Sequence, residues 1–184
     1  MSELVAYQRM IEGASSNLRD AVASVREGDF GRRPAPGANP VNFIYFHLLR
    51  HWDRDINIYI QRQEPESDAW HRHGLSESLD YEPLGIGTYD IGTGYGYSAA
   101  EVDAVPTDAA SLRRYHDILE QETKELLAEI DPATLEEPKE LDGRKYTVGQ
   151  RYRHLIAHTY FHLGDIEYAK GLLGAPAGDF PILE

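Results

Sequence analysis

The chain has no cysteine, few basic residues beside its acidic ones and no long apolar run, and each shortage excludes something. Without cysteine there can be no disulfide scaffold, thiolate zinc site or cysteine nucleophile, so any metal must be held by histidine, carboxylate or water. The 18 Lys and Arg residues against 31 Asp and Glu give a formal net charge of −13. Binding to nucleic acid or anionic lipid depends on clustered cations, so neither is expected as a partner. No window approaches the roughly 18 consecutive apolar residues of a spanning helix. The start, Met1-Ser2-Glu3-Leu4, carries no basic stretch followed by an apolar one. A soluble, cytoplasmic protein is expected. With 41% hydrophobic and 27% charged residues, the 184 positions suit one globular domain, residues 1–184, with a sizeable core.

Four segments carry helix periodicity. In the first, from about Ser2 to Arg26, Leu4, Tyr7, Ile11, Ala14, Leu18, Ala21, Val22 and Val25 recur at steps of three and four and form one stripe. Gly28 to Gly37 breaks it. Asn39-Pro40 suits the start of a second helix, Asn as cap and Pro in the first turn, running to about Gln63. Its many apolar residues, Val41 through Ile60, mark it as central. Residues 64–100 lose the periodicity, and Gly85, Gly87, Gly92, Gly94 and Gly96 fall among Tyr89, Tyr95 and Tyr97, which predicts a long ordered loop. Ser98 to Glu101 matches a capping box for a short helix. A third long helix runs from Pro106 to Ile130 with Leu112, Tyr115, Leu119, Leu126 and Ile130 inward, and Glu136 to Tyr146 is a charged connection. Thr147 to Gln150 is a second capping box, opening a fourth helix that runs through Lys170 and closes at Gly171 or Gly174. Pro176 and Pro181 keep the tail, residues 174–184, nonhelical. The expected fold is all-α, a four-helix bundle with a long Gly/Tyr-rich crossover between helices two and three.

Helix four contains His154, His158 and His162, spaced by four, so neighbours stack on one helix face. Two such imidazoles can chelate one ion. His154 and His162 lie about 12 Å apart along the axis, so a third ligand has to come from another helix. Helix two offers His47 and His51 at the same spacing within its most apolar stretch. An imidazole buried there needs partners for its nitrogens; a metal supplies one, and a carbonyl or carboxylate is the alternative.

Asn39-Pro40 through His47-Leu48-Leu49-Arg50, and His158-xxx-His162-Leu163-Gly164-Asp165-Ile166, resemble the two signatures of DinB-like proteins. That bacterial superfamily includes bacillithiol transferases and a mycothiol-dependent isomerase. Asp165 stands where the family usually has Gln or Glu and keeps an acceptor there. The resemblance runs in element order over nearly the whole chain. It implies that His47, His158 and His162 are metal ligands, and three histidines leave a position open for water or substrate. Zinc or nickel suits such a set best, with iron or manganese behind. It further implies thiol-dependent S-transfer to a small electrophile, the thiol being a low-molecular-weight cofactor, and a homodimer. The alternatives are a noncatalytic stress-response or binding module with structural histidines, and a metal-dependent hydrolase.

Around this set, Asp165 is a candidate to orient His162. His51 and His154 are candidates to line or back the site, and Arg50 to meet an anionic group or form a salt bridge. Asp53 and Asp55 beside Arg54 are expected on a solvated face, and His71 and His73 in an exposed loop. The Gly and Tyr stretch has no Lys after its glycines and does not match a phosphate-binding loop. It is expected to pack as an irregular loop or to cover the bundle mouth, with Tyr95 and Tyr97 as candidate substrate contacts.

Overall fold

The computed structural model describes residues 2–85, 91–141 and 143–175. The Gly87 and Tyr89 part of the expected loop, Asp142, and the tail from Pro176 lie outside the described residues. Four long helices dominate: α1 (Glu3–Ala23), α2 (Val41–Asp53, continued as a π-helix over Arg54–Ile60), α6 (Ala109–Glu129) and α7 (Val148–Leu172). Between α2 and α6 lie three short helices, α3 (Ala69–Arg72), α4 (Leu75–Leu79) and α5 (Ala99–Asp103). Helix α1 packs on α7, α7 on α2, α2 on α6 and α6 on α1, so the long helices close a ring around one apolar core.

Local chemistry explains most of these bounds. On α1 the apolar stripe is buried as Tyr7, Ile11, Ala14, Leu18, Ala21 and Val22. Leu18 has no exposed surface, and cutting such a side chain to Ala costs about 2–5 kcal/mol. Both capping boxes form: Ser98 with Glu101 opens α5, and Thr147 with Gln150 opens α7. Asp108 caps α6 by accepting from the Ala110 amide at 3.1 Å. On α6 Leu112, Tyr115 and Leu119 are buried, followed by Thr123 and Leu127, while Leu126 and Ile130 pack against the core partly buried.

Several expectations are corrected. Helix α1 stops at Ala23 rather than Arg26, and Glu27–Asp29 turns as a 3₁₀ segment. Asn39 does not cap α2; Pro40 holds the cap position without a side-chain bond, and Asn42 instead ties α2 to the Val105 and Pro106 carbonyls. Residues 64–100 contain α3, which Asp68, itself buried, opens by capping the His71 amide, and α4, which follows Gly74. The connection before α7 is an antiparallel hairpin, β1 (Lys139–Leu141) with β2 (Arg144–Tyr146).

Asp53 and Asp55 are buried, not solvated. Helix α2 is enclosed on every side, so its charges are answered internally. Arg50, fully buried, donates to Asp68 at 2.8 Å, to the Tyr115 hydroxyl at 3.2 Å and to Asp53 at 3.5 Å. Asp53 also accepts from the Ala69 and Trp70 amides, fixing α3 against α2. Removing one partner of such a buried set leaves an uncompensated charge, a loss of about 3–5 kcal/mol. In the π-helix the wider turn abandons the 3.6-residue phase, and six successive residues, Asp55 to Ile60, are buried.

Candidate metal centre

The contact of α2 with α7 sets two histidine rows face to face: His47 and His51 from α2, and His154, His158 and His162 from α7. Ring centroids are 4.8 Å apart for His47 and His162, 4.4 Å for His158 and His162, and 4.4 Å for His51 and His158. His47, His158 and His162, all half-buried, can each offer one nitrogen such that these atoms lie within 4.8 Å of one another. They are the one group of three or more potential ligands this close among the described residues.

Hydrogen bonding assigns the nitrogens. His47 Nδ1 donates to the Thr93 carbonyl at 2.6 Å, which makes Nε2 the lone-pair nitrogen. His162 Nδ1 donates to Asp165 at 2.9 Å, with the same consequence. His162 Nε2 and His158 Nε2 are 3.1 Å apart. Two lone pairs at that distance repel unless a proton or a cation lies between them. Burial, with the neighbouring histidines and Arg54, pushes His158 down to about 2. It is therefore neutral at pH 7, the form that ligates metals.

The other two rings differ in kind. Arg54 donates to His51 Nδ1 at 2.6 Å, so His51 turns an N–H outward at Nε2 instead of a lone pair. Burial first, then Arg54, holds its basicity far below the ordinary histidine value. His154 Nδ1 is bonded to Asp55 at 2.6 Å, and Arg151 pairs with the same carboxylate at 3.3 Å. Both rings extend the row away from the three, on the side opposite the cavity.

That cavity, about 450 Å³, opens beside His47 and His162. Phe43 and Ile44 of α2, Tyr95 and Tyr97 of the glycine-rich loop, and Asp165 and Tyr168 of α7 contribute to its wall. Tyr95 is 74% exposed, while the Tyr97 hydroxyl bonds both the amide and carbonyl of Leu84. The loop therefore both packs and covers the mouth. Gly92 and Gly94 sit at φ +73° and +84°, and a Cβ on Gly92 would come within 2.5 Å of Pro83. Only glycine on both sides lets Thr93 turn its carbonyl onto His47.

Arg50 does not line the cavity. It donates to the Ile91 carbonyl and, at 3.4 Å, to that of Gly92, so it anchors the loop one residue before Thr93 and acts on His47 through the backbone. His71 lies between Asp68 and Glu82 on α3, remote from the centre, and His73 is exposed beside Glu122. Sequence reasoning missed two parts of this arrangement. The Thr93 carbonyl leaves no side-chain signal, though its flanking glycines were visible, and Asp55 sits one turn after His51 on a helix with no solvated face.

A helical bundle with a histidine-lined centre beside an open cavity is the class that fold and site define. The chain belongs to the DinB superfamily, whose family model matches residues 10–166. No curated protein matches it. Among solved structures it is similar to a conserved protein from Enterococcus faecalis, with a TM-score of 0.78 at 19% identity, covering 95% of this chain and 99% of that one. At that identity the likeness shows the fold. Among the described residues, no helix is long and apolar enough to cross a membrane.

Proposed function

We propose that His47, His158 and His162 hold a divalent metal, zinc or nickel before iron or manganese, and that the chain transfers a low-molecular-weight thiol to a small electrophile. The observation that carries this reading is the convergence of three imidazoles, two oriented by outer acceptors, beside a cavity. Superfamily membership supports it. A metal held there by three ligands keeps a coordination position open and supplies Lewis acidity that favours ionisation of a thiol or water near neutral pH.

The chain's own residues do the rest. Thr93 and Asp165 keep the lone pairs of His47 and His162 directed inward, and Asp165 also adds negative charge beside the centre. Phe43, Tyr97 and the loop exclude water on one side of the cavity and leave the other open for entry. Because the sequence has no cysteine, the reacting thiol comes from a partner molecule. The proposal extends to a cytoplasmic homodimer, supported by the exposed Tyr160 and Phe161 on α7.

The test is metal content of untagged protein, followed by turnover with bacillithiol, mycothiol, glutathione and coenzyme A against electrophilic acceptors. One equivalent of metal, lost in His47→Ala, with turnover by at least one thiol, is expected. Metal-free protein that takes up none, or loaded protein inactive with every thiol, contradicts the corresponding half.

A further inference from the structure

The cavity beside the three histidines has no Lys or Arg among its described lining residues. The sequence stretches outside the described residues, 86–90 and 176–184, contain no Lys or Arg either, so they bring no cation wherever they lie. The nearest basic neighbours in sequence are tied elsewhere. Arg33, before the lining residue Pro34, bonds Asp103 and the Ala38 and Ala99 carbonyls. Lys170, after the lining residue Ala169, is 1% exposed and bonds Glu167.

The wall is instead aromatic and apolar, formed by Phe43, Ile44, Tyr95, Tyr97, Tyr168 and Leu172, with Asp165 as its one described charged group. Helix dipoles do not decide the sign. The first turn of α2 and the last turns of α7 both border the cavity, and their partial charges oppose. Side chains decide it, and they present a carboxylate and π-faces in a chain of net charge −13.

Resting on the metal and thiol reading above, we infer that the outer cavity receives an uncharged or cationic arm with an aromatic or apolar body, and rejects arms bearing carboxylate or phosphate. Once a bound thiolate and Asp165 offset the two charges of the metal, an anionic arm in the outer cavity finds no Lys or Arg beside it and loses its hydration. An ammonium or a neutral ring meets Tyr95 and Tyr168, both more than 70% exposed and so accessible at the mouth. The preferred thiol or acceptor thus carries no acid on the part that extends past His47. Glutathione and coenzyme A, with carboxylates and phosphates, rank behind uncharged thiols of similar size.

Three benzyl thiols that differ only in the para group, aminomethyl, hydroxymethyl or carboxylate, separate charge from size. Each is titrated into the cobalt(II)-loaded full chain at pH 7.5, with the visible absorption of cobalt as readout. The aminomethyl and hydroxymethyl thiols are expected to bind at least tenfold more tightly than the carboxylate. Leu172→Lys, which places a cation on the half-exposed rim, should raise the affinity of the carboxylate thiol relative to the hydroxymethyl thiol at least fivefold. If the carboxylate binds the wild type as tightly as the hydroxymethyl compound, this inference is overturned and the metal and thiol reading stands. If cobalt is not taken up, or no thiol perturbs it, that reading fails and this inference falls with it.

Discussion

At His116 both ring nitrogens end on hydroxyls of the same core, Ser15 and Tyr45, each at 2.9 Å, whereas His47 and His162 bond an outer acceptor with Nδ1 and can each offer a nitrogen to a group shared with His158. All are histidines on long helices with little or no exposure. The difference lies in who answers the second nitrogen. Within the α1, α2 and α6 core the protein answers it, since Ser15 and Tyr45 come from the two helices that face α6. Between α2 and α7 the ring nitrogens of His47, His158 and His162 lie within 4.8 Å of one another, a spacing that one shared proton or cation can bridge. Burial pushes His116 down to about 4 and His158 to about 2, so burial alone does not distinguish a structural histidine from a ligand.

The sharpest way to break this comparison is to remove one histidine from each region. His158→Ala should abolish stoichiometric metal uptake, a loss of at least a hundredfold in affinity, while His116→Gln leaves uptake within about twofold; calorimetric titration with zinc measures both. Equal losses would make the two regions alike.

An effect of similar size separates them by pH. His116 has a folded value near 4 against an ordinary 6.5, so between those limits the unfolded chain binds the extra proton and stability falls as pH falls. Over that window the wild type should lose about 3 kcal/mol relative to His116→Gln, then no more below pH 4. Denaturant unfolding at half-unit steps from pH 7 to 3.5 checks the slope, and a parallel pair of curves contradicts the assignment.

The smallest effect concerns orientation. Asp165→Asn retains an acceptor but removes the charge behind His162, and should weaken metal binding roughly tenfold, the lower end for an outer partner. Stability of the metal-free chain should move by less than about 0.5 kcal/mol, because Asp165 is exposed.

Much of this comparison was legible in the sequence, and the part that was not has physical reasons. The spacing of His154, His158 and His162 placed them on one helix face, and the pair on helix two supplied the opposing row. Both capping boxes form where Ser98 with Glu101 and Thr147 with Gln150 stand, because capping is local chemistry. His116 escaped notice because its partners, Ser15 and Tyr45, are 101 and 71 residues away. Asp53 and Asp55 read as solvated because an acidic pair around an arginine usually is; here the π-helix and the buried Arg50 enclose them. The hairpin of β1 and β2 was hidden by its charged, short strands, of whose side chains only that of Tyr146 is buried.

The central claim is that the three nitrogens share one ion. X-ray absorption on untagged, metal-loaded protein tests it most directly. The account predicts three histidine nitrogens at about 2.0–2.2 Å and at least one exchangeable oxygen ligand, with the histidine signal reduced in His47→Ala. A metal coordinated only by oxygen, or a spectrum unchanged by that substitution, would contradict it.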